Sequence, residues 1–127
     1  MKILKSLFVV TGICLMCLFN AVAVSAENWI VKDNYYNVEW DADTVYSEDY
    51  GNIINFDMKM YDDKGGYTKY KTQIHQNELM KIYYGITYDA SGSVVYQGPL
   101  NLVYPITSMK NSDMFYDIIS YYQKYVK

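Results

Sequence analysis

Few residues in this chain could do chemistry, and most of those fail on spacing. Cys14 and Cys17 form a C-x-x-C arrangement, the spacing of a redox pair or half a zinc site, but both sit inside an apolar run at 7–19. His75 is the only histidine, so a metal centre or a nucleophile–base pair would have to be built around it alone. Its neighbours Thr72, Gln73, Gln76 and Asn77 make no nucleophile motif, and it reads as a surface or strand-edge histidine. The acidic group Asp41, Asp43, Glu48 and Asp49 offers the oxygen ligands calcium takes, without the glycine and the bidentate glutamate of a regular calcium loop. Asp41 and Asp43 are therefore a weak calcium candidate beside the simpler reading of an acidic turn. Paired-carboxylate hydrolysis would need a raised carboxyl pKa in a cleft, which is a property of the fold rather than of spacing. The chain reads as a non-enzyme that needs no cofactor.

The two cysteines belong to a segment with the three parts of a cleavable export signal. Lys2 and Lys5 open it, the apolar run follows, and Val24-Ser25-Ala26 supplies the small residues at its end. Cleavage is expected between Ala26 and Glu27, giving a signal peptide at 1–26 and a single domain at 27–127. A membrane anchor is the rival reading of the apolar run; Asn20 and the small-residue end favour cleavage. Ile13 and Met16, directly before the two cysteines, are too large for a lipoprotein signal. The expected product is exported to the periplasm, the cell surface or the extracellular space, with no membrane span and no cysteine.

Losing Lys2 and Lys5 leaves 9 lysines against 14 acidic residues, a net charge of −5, and the chain has no arginine. Nucleic acid is thus excluded as a partner, since phosphate binding needs clustered positive charge and is served best by the arginine fork. A domain of this size has a modest core, and without disulfides it must lean on aromatic area. All 16 tyrosines lie after residue 26. Most are expected to pack in the core or across strands, each hydroxyl needing a partner or water.

Period-two patterning places the elements. Tyr36, Val38 and Trp40 alternate with Tyr35, Asn37 and Glu39, and Ile54, Phe56, Met58 and Met60 alternate with Asn55, Asp57, Lys59 and Tyr61. Asp62-Asp63-Lys64-Gly65-Gly66 then turns the chain into a returning strand at 67–76. A further strand carries Met80, Ile82, Tyr84, Ile86 and Tyr88 on one face, with Leu79, Lys81, Tyr83 and Thr87 on the other. Asp89-Ala90-Ser91-Gly92 leads back into 93–97, and a short piece at 29–32 opens the domain. Pro99 and Pro105 are read as bracketing an extended link at 100–104. Met114, Phe115, Ile118, Ile119, Tyr122 and Tyr125 recur at helical spacing, with Ser112 as N-cap and Asp113 at the positive end of the dipole. The expected fold is α+β: a single antiparallel sheet of five or six strands with one C-terminal amphipathic helix packed on one face. Strand phase turns Tyr35, Tyr61, Tyr67 and Tyr83 away from the core, which makes them the candidate partner-binding residues.

The order of these elements resembles the bacterial surface-adhesin protein E family. The resemblance is carried by Trp29-Ile30-Val31, Trp40-Asp41-Ala42-Asp43-Thr44-Val45, the strand at 54–61, the hairpin Tyr88-Asp89-Ala90-Ser91-Gly92-Ser93-Val94-Val95, and Pro105-Ile106 before Ser112-Asp113. It implies a small exported sheet with a helix laid across it and attachment to host matrix or plasma proteins. Two departures are visible: the family's cysteines, which tie helix to sheet, are missing, and so is a lipoprotein signal. The leading expectation is an exported binding protein of the cell envelope or surface with a protein partner, a host matrix or envelope protein. Two alternatives stand beside it: a periplasmic envelope-maintenance protein that self-associates as a homodimer, and a small exported enzyme or inhibitor using the acidic cluster.

Overall fold

The computed structural model describes residues 27–127. The expected export segment, with its cysteines, lies outside the described residues. Six strands form one antiparallel sheet in chain order: β1 (Trp29–Ile30), β2 (Val38–Glu48), β3 (Ile53–Tyr61), β4 (Tyr67–His75), β5 (Leu79–Tyr88) and β6 (Val94–Pro105). Every connection is too short for a crossover, so each strand pairs with the next and the order never changes. One helix, α1 (Ser112–Tyr121), continues through a wider π turn at Tyr122–Val126 and lies across one face. This is the expected α+β architecture.

The core lies between the helix and the middle strands. Ile54, Phe56 and Met58 of β3 are buried with Trp40 of β2, Ile74 of β4, and Met80 and Ile82 of β5. From the helix, Met114, Phe115 and Ile118 enter the same cluster, the i, i+1, i+4 stripe of an amphipathic helix. Phe115 meets Phe56 edge to face at 6.1 Å, and Trp40 meets Tyr121 at 5.3 Å. Such aromatic pairs contribute about 0.5–1.5 kcal/mol beyond the area they bury.

Three local readings of the sequence are corrected by the structure. The strand expected at 35–40 begins only at Val38, because Asn37 takes a left-handed conformation (φ 56) that breaks the alternation. Tyr35 is therefore buried at 8 % exposure, whereas Tyr36 stands out at 56 %. At the other end β2 runs on to Glu48 through an irregular stretch between Asp41 and Tyr46, so the expected acidic turn after Trp40 is part of the strand. The extended link at 100–104 is likewise the second half of β6, which passes through Pro99 to Pro105 along the edge of the sheet. Proline is tolerated there because an edge strand needs donors on one side only.

At the helix start, Asn111 rather than Ser112 holds the cap position, and its side chain is committed elsewhere. The Asn111 Oδ1 accepts from the Tyr36 backbone N–H at 2.7 Å, and its Nδ2 donates to the Tyr36 carbonyl at 3.3 Å. This two-point clasp joins the helix entry to the segment before β2. Among the described residues, no helix is long and apolar enough to cross a membrane.

Candidate functional site

The helix covers one face of the sheet and leaves the other open, and register decides what the open face displays. Tyr61, Tyr67 and Tyr88 are direct cross-strand partners on β3, β4 and β5. Tyr67 stacks on Tyr88 with ring centres 4.9 Å apart, and Tyr61 leans on Tyr67 at 5.8 Å. Next along β3, Lys59 lies over this row: its Nζ is 4.9 Å from the Tyr67 ring centre and 4.2 Å from that of Trp29 on β1. An ammonium held between ring faces keeps the lysine stem extended over them and joins the two edges of the cluster.

Charge at the margin is arranged locally. Glu27 accepts from the Trp29 indole N–H at 3.1 Å and lies 3.8 Å from Lys69. These contacts, the indole first, hold its carboxyl below the usual range against the opposing effect of burial. The Tyr61 hydroxyl is pushed up to about 12 by burial and by its hydrogen bond to Glu39, so it is neutral and donating at ordinary pH. The result is an aromatic ladder with one lysine embedded among its rings.

Of the four tyrosines expected to face outward, the structure brings Tyr61 and Tyr67 together. Tyr83 is on the same face but stands apart from the ladder, about 17 Å along β5 from Tyr88 at the usual strand rise. It occupies the bulge left unpaired between Ile82 and Tyr84, among Tyr46, Asp57 and Lys71. Burial raises its hydroxyl pKa, with Tyr46, Asp57 and Glu48 adding to the effect. Tyr35 is corrected outright: it is buried on the helix side, where its hydroxyl donates to Asp117 at 2.7 Å and accepts from the Trp40 indole at 3.1 Å. It holds the helix to the sheet.

Asp41 is buried whereas Asp43 is exposed. The buried Asp41 carboxylate accepts the backbone N–H groups of Asn28 and Asp43 at 3.1 and 3.0 Å, stabilising the irregular stretch of β2. Among the described residues, no group of three or more His, Cys, Asp or Glu converges as metal ligands. His75 is half-buried at the end of β4, its Nε2 3.1 Å from Gln73 Oε1. Gln73 in turn donates to Asn55 at 3.1 Å, a structural chain across two strands.

Three members of the ladder escaped the sequence reading: Trp29, Lys59 and Tyr88. Tyr88 is assigned to the core face by unbroken alternation from Met80, and the bulge at Tyr83 reverses that phase. A glycine inside the strand was the available signal, because Gly85 marks a close approach. A Cβ at Gly85 would lie 2.9 Å from Leu100 Cδ1 and 3.3 Å from the Tyr70 ring. No family model, curated protein or solved structure matches this chain.

Proposed function

We propose that this protein is an exported, non-enzymatic binding module of the bacterial envelope or cell surface, and that the ladder Tyr61–Tyr67–Tyr88 with Lys59 and Trp29 is its contact surface for a protein partner. The observation that carries the reading is an aromatic row, pre-ordered by cross-strand stacking, on the face that the helix leaves bare. Tyrosine and tryptophan provide large contact area with few rotatable bonds, so little entropy is lost when such a surface docks. The resemblance of the element order to the surface-adhesin protein E family supports the same class, attachment to an extracellular-matrix or plasma protein. A double variant, Tyr61→Ser with Tyr67→Ser, tests it by biosensor binding to matrix and plasma proteins. Affinity for the partner should fall at least about tenfold, the scale of an interface anchor lost, with the thermal midpoint only modestly lowered. Unchanged affinity in a folded double variant would remove the ladder from the interface.

Self-association is a second reading, favoured by β6. This twelve-residue edge strand carries no charged side chain, and Val94, Val95, Tyr96, Leu102, Val103 and Tyr104 are all exposed. Edges of this kind are normally protected by lysine or by brevity. Val103→Lys is expected to turn any dimer seen by sedimentation velocity into a monomer. A wild-type protein that stays monomeric throughout the micromolar range would end this reading.

A further inference from the structure

A separate site takes shape at the far end of the sheet, where two turns and the helix meet. The β2–β3 connection places Asp49, Tyr50 and Gly51 in three successive left-handed conformations, with φ of 52, 56 and 88. The β4–β5 turn adds a fourth at Glu78, with φ 61. Left-handed backbone costs each non-glycine residue about 1 kcal/mol or more and persists only where its surroundings hold it. Here they do: the Asn52 N–H donates to the Asp49 carbonyl at 3.0 Å, the Glu78 N–H donates to His75, and the Glu78 carbonyl accepts from Ile106, both at 2.9 Å. Gly51 is fixed twice over, since its φ suits glycine and a Cβ there would lie 3.2 Å from the Tyr122 hydroxyl.

This strain frames a cavity of about 480 Å³. The Tyr50 ring stands fully exposed at its rim. Ile54, Ile74 and Ile119 supply apolar lining, while Asn52, Gln76, Gln123, His75 and Lys127 supply polar lining, the Asn52 amide nitrogen donating to Asp49 at 3.3 Å. Glu78 accepts the Tyr116 hydroxyl at 2.9 Å, which orients a carboxylate at the margin.

We propose that this cavity binds a neutral saccharide, one or two sugar units of a glycan, with Tyr50 as the stacking platform. A pyranose has an apolar C–H face and an edge of hydroxyls that both donate and accept. The exposed ring and the isoleucine lining match the face. Planar amides and a carboxylate match the edge, because each can engage two adjacent hydroxyls. Glu78 and Lys127 line the cavity with opposite charges, which matches a ligand without net charge, and a purely apolar one would leave the polar lining without partners. The volume lies within the range of small-molecule sites.

The test is a nuclear magnetic resonance titration of nitrogen-labelled protein with maltose, cellobiose, lactose and N,N′-diacetylchitobiose at up to millimolar concentration. At least one should give saturable shifts centred on Tyr50, Asn52, His75, Gln76, Glu78 and Gln123. Tyr50→Ala removes a side chain in solvent and so leaves folding intact; it should weaken that sugar about tenfold, or about 1.4 kcal/mol, and Glu78→Gln should weaken it in the same direction. The ladder variant Tyr61→Ser with Tyr67→Ser should bind the sugar like the wild type, so this site and the protein-contact face succeed or fail separately. Absence of saturable shifts with all four sugars, shifts confined to the ladder, or full affinity in Tyr50→Ala would each overturn the proposal.

Discussion

Replacing Phe115 with Ala is expected to remove about 3–5 kcal/mol of stability, the cost of emptying a fully buried phenylalanine site. Phe115 is 1 % exposed, and it stands between Met114 and Ile118, both wholly buried, with its ring against Phe56 at 6.1 Å. Nothing covalent would compensate, because residues 27–127 contain no cysteine. A helix of ten residues has little stability of its own in water and depends on the face it buries. Against a total of about 5–15 kcal/mol for an ordinary domain, the substitution removes a large share. Urea denaturation read by both helical circular dichroism and tryptophan fluorescence is the measurement. A parallel fall of both midpoints means the helix and sheet still unfold as one unit; a dichroism transition that comes first means the helix has undocked. A loss below about 1 kcal/mol, the scale of an ordinary surface change, would show that apolar packing is not what holds the helix.

The same dependence explains how residues 27–127 hold the helix to the sheet without a cysteine. Polar contacts supplement the apolar seam at its amino-terminal half. Lys32 reaches Asp117 at 3.2 Å, Asn34 reaches Asp113 at 3.2 Å, and Asn111 clasps Tyr36. These tie the segment before β2 to the helix, bridging residues some eighty positions apart. The exposed ion pair contributes at most about 1 kcal/mol, so the seam itself decides whether the helix stays.

Sequence patterning reached the sheet because the inner face is fully buried, which forces strict alternation through Ile54, Phe56 and Met58 and helical spacing through Met114, Phe115 and Ile118. It failed where one residue resets the phase. Asn37 can adopt a left-handed conformation at low cost, yet nothing in the local pattern marks it as the point where Tyr35 and Tyr36 exchange sides. The irregular stretch between Asp41 and Tyr46 depends on Thr44, whose hydroxyl donates to the Asp41 carbonyl at 2.7 Å and accepts from the Asp57 N–H at 2.8 Å. Asp57 comes from β3, so spacing along β2 carries no trace of that partner. Of the candidate contact face, Tyr61 and Tyr67 were legible because they flank a turn whose geometry the acidic and glycine residues already set. Tyr88 depended on the bulge at Tyr83, and Trp29 on a two-residue strand. The cavity beside Tyr50 was invisible, since it is built from left-handed backbone in two turns that meet only in the folded chain.

Tyr35→Phe separates the structural tyrosines from those available for contact, and it should cost about 1–3 kcal/mol while leaving partner binding untouched. The Tyr35 hydroxyl links Asp117 at 2.7 Å and the Trp40 indole at 3.1 Å; removing it leaves the buried indole N–H without a partner and takes from the helix residue Asp117 one of its two donors, the other being Lys32. Burial, with the hydrogen bond to Asp117 next in importance and the Trp40 indole opposing, raises the pKa of this hydroxyl well above its ordinary value of 10.0. In the unfolded chain the phenol ionises near pH 10, whereas the folded protein keeps its proton. Its contribution is therefore intact below about pH 10 and is lost as the pH rises from there toward the folded value. Tyr61, pushed up to about 12, adds to the fall in the same window. The thermal midpoint of the wild type should thus drop steeply above pH 10, and that of Tyr35→Phe should start lower and drop less. Tyrosinate absorbance provides the independent check: one late-titrating group should vanish in the variant. If the two proteins lose stability with equal slopes above pH 10, or if Tyr35→Phe is as stable as the wild type at neutral pH, the buried hydroxyl does not hold the helix to the sheet.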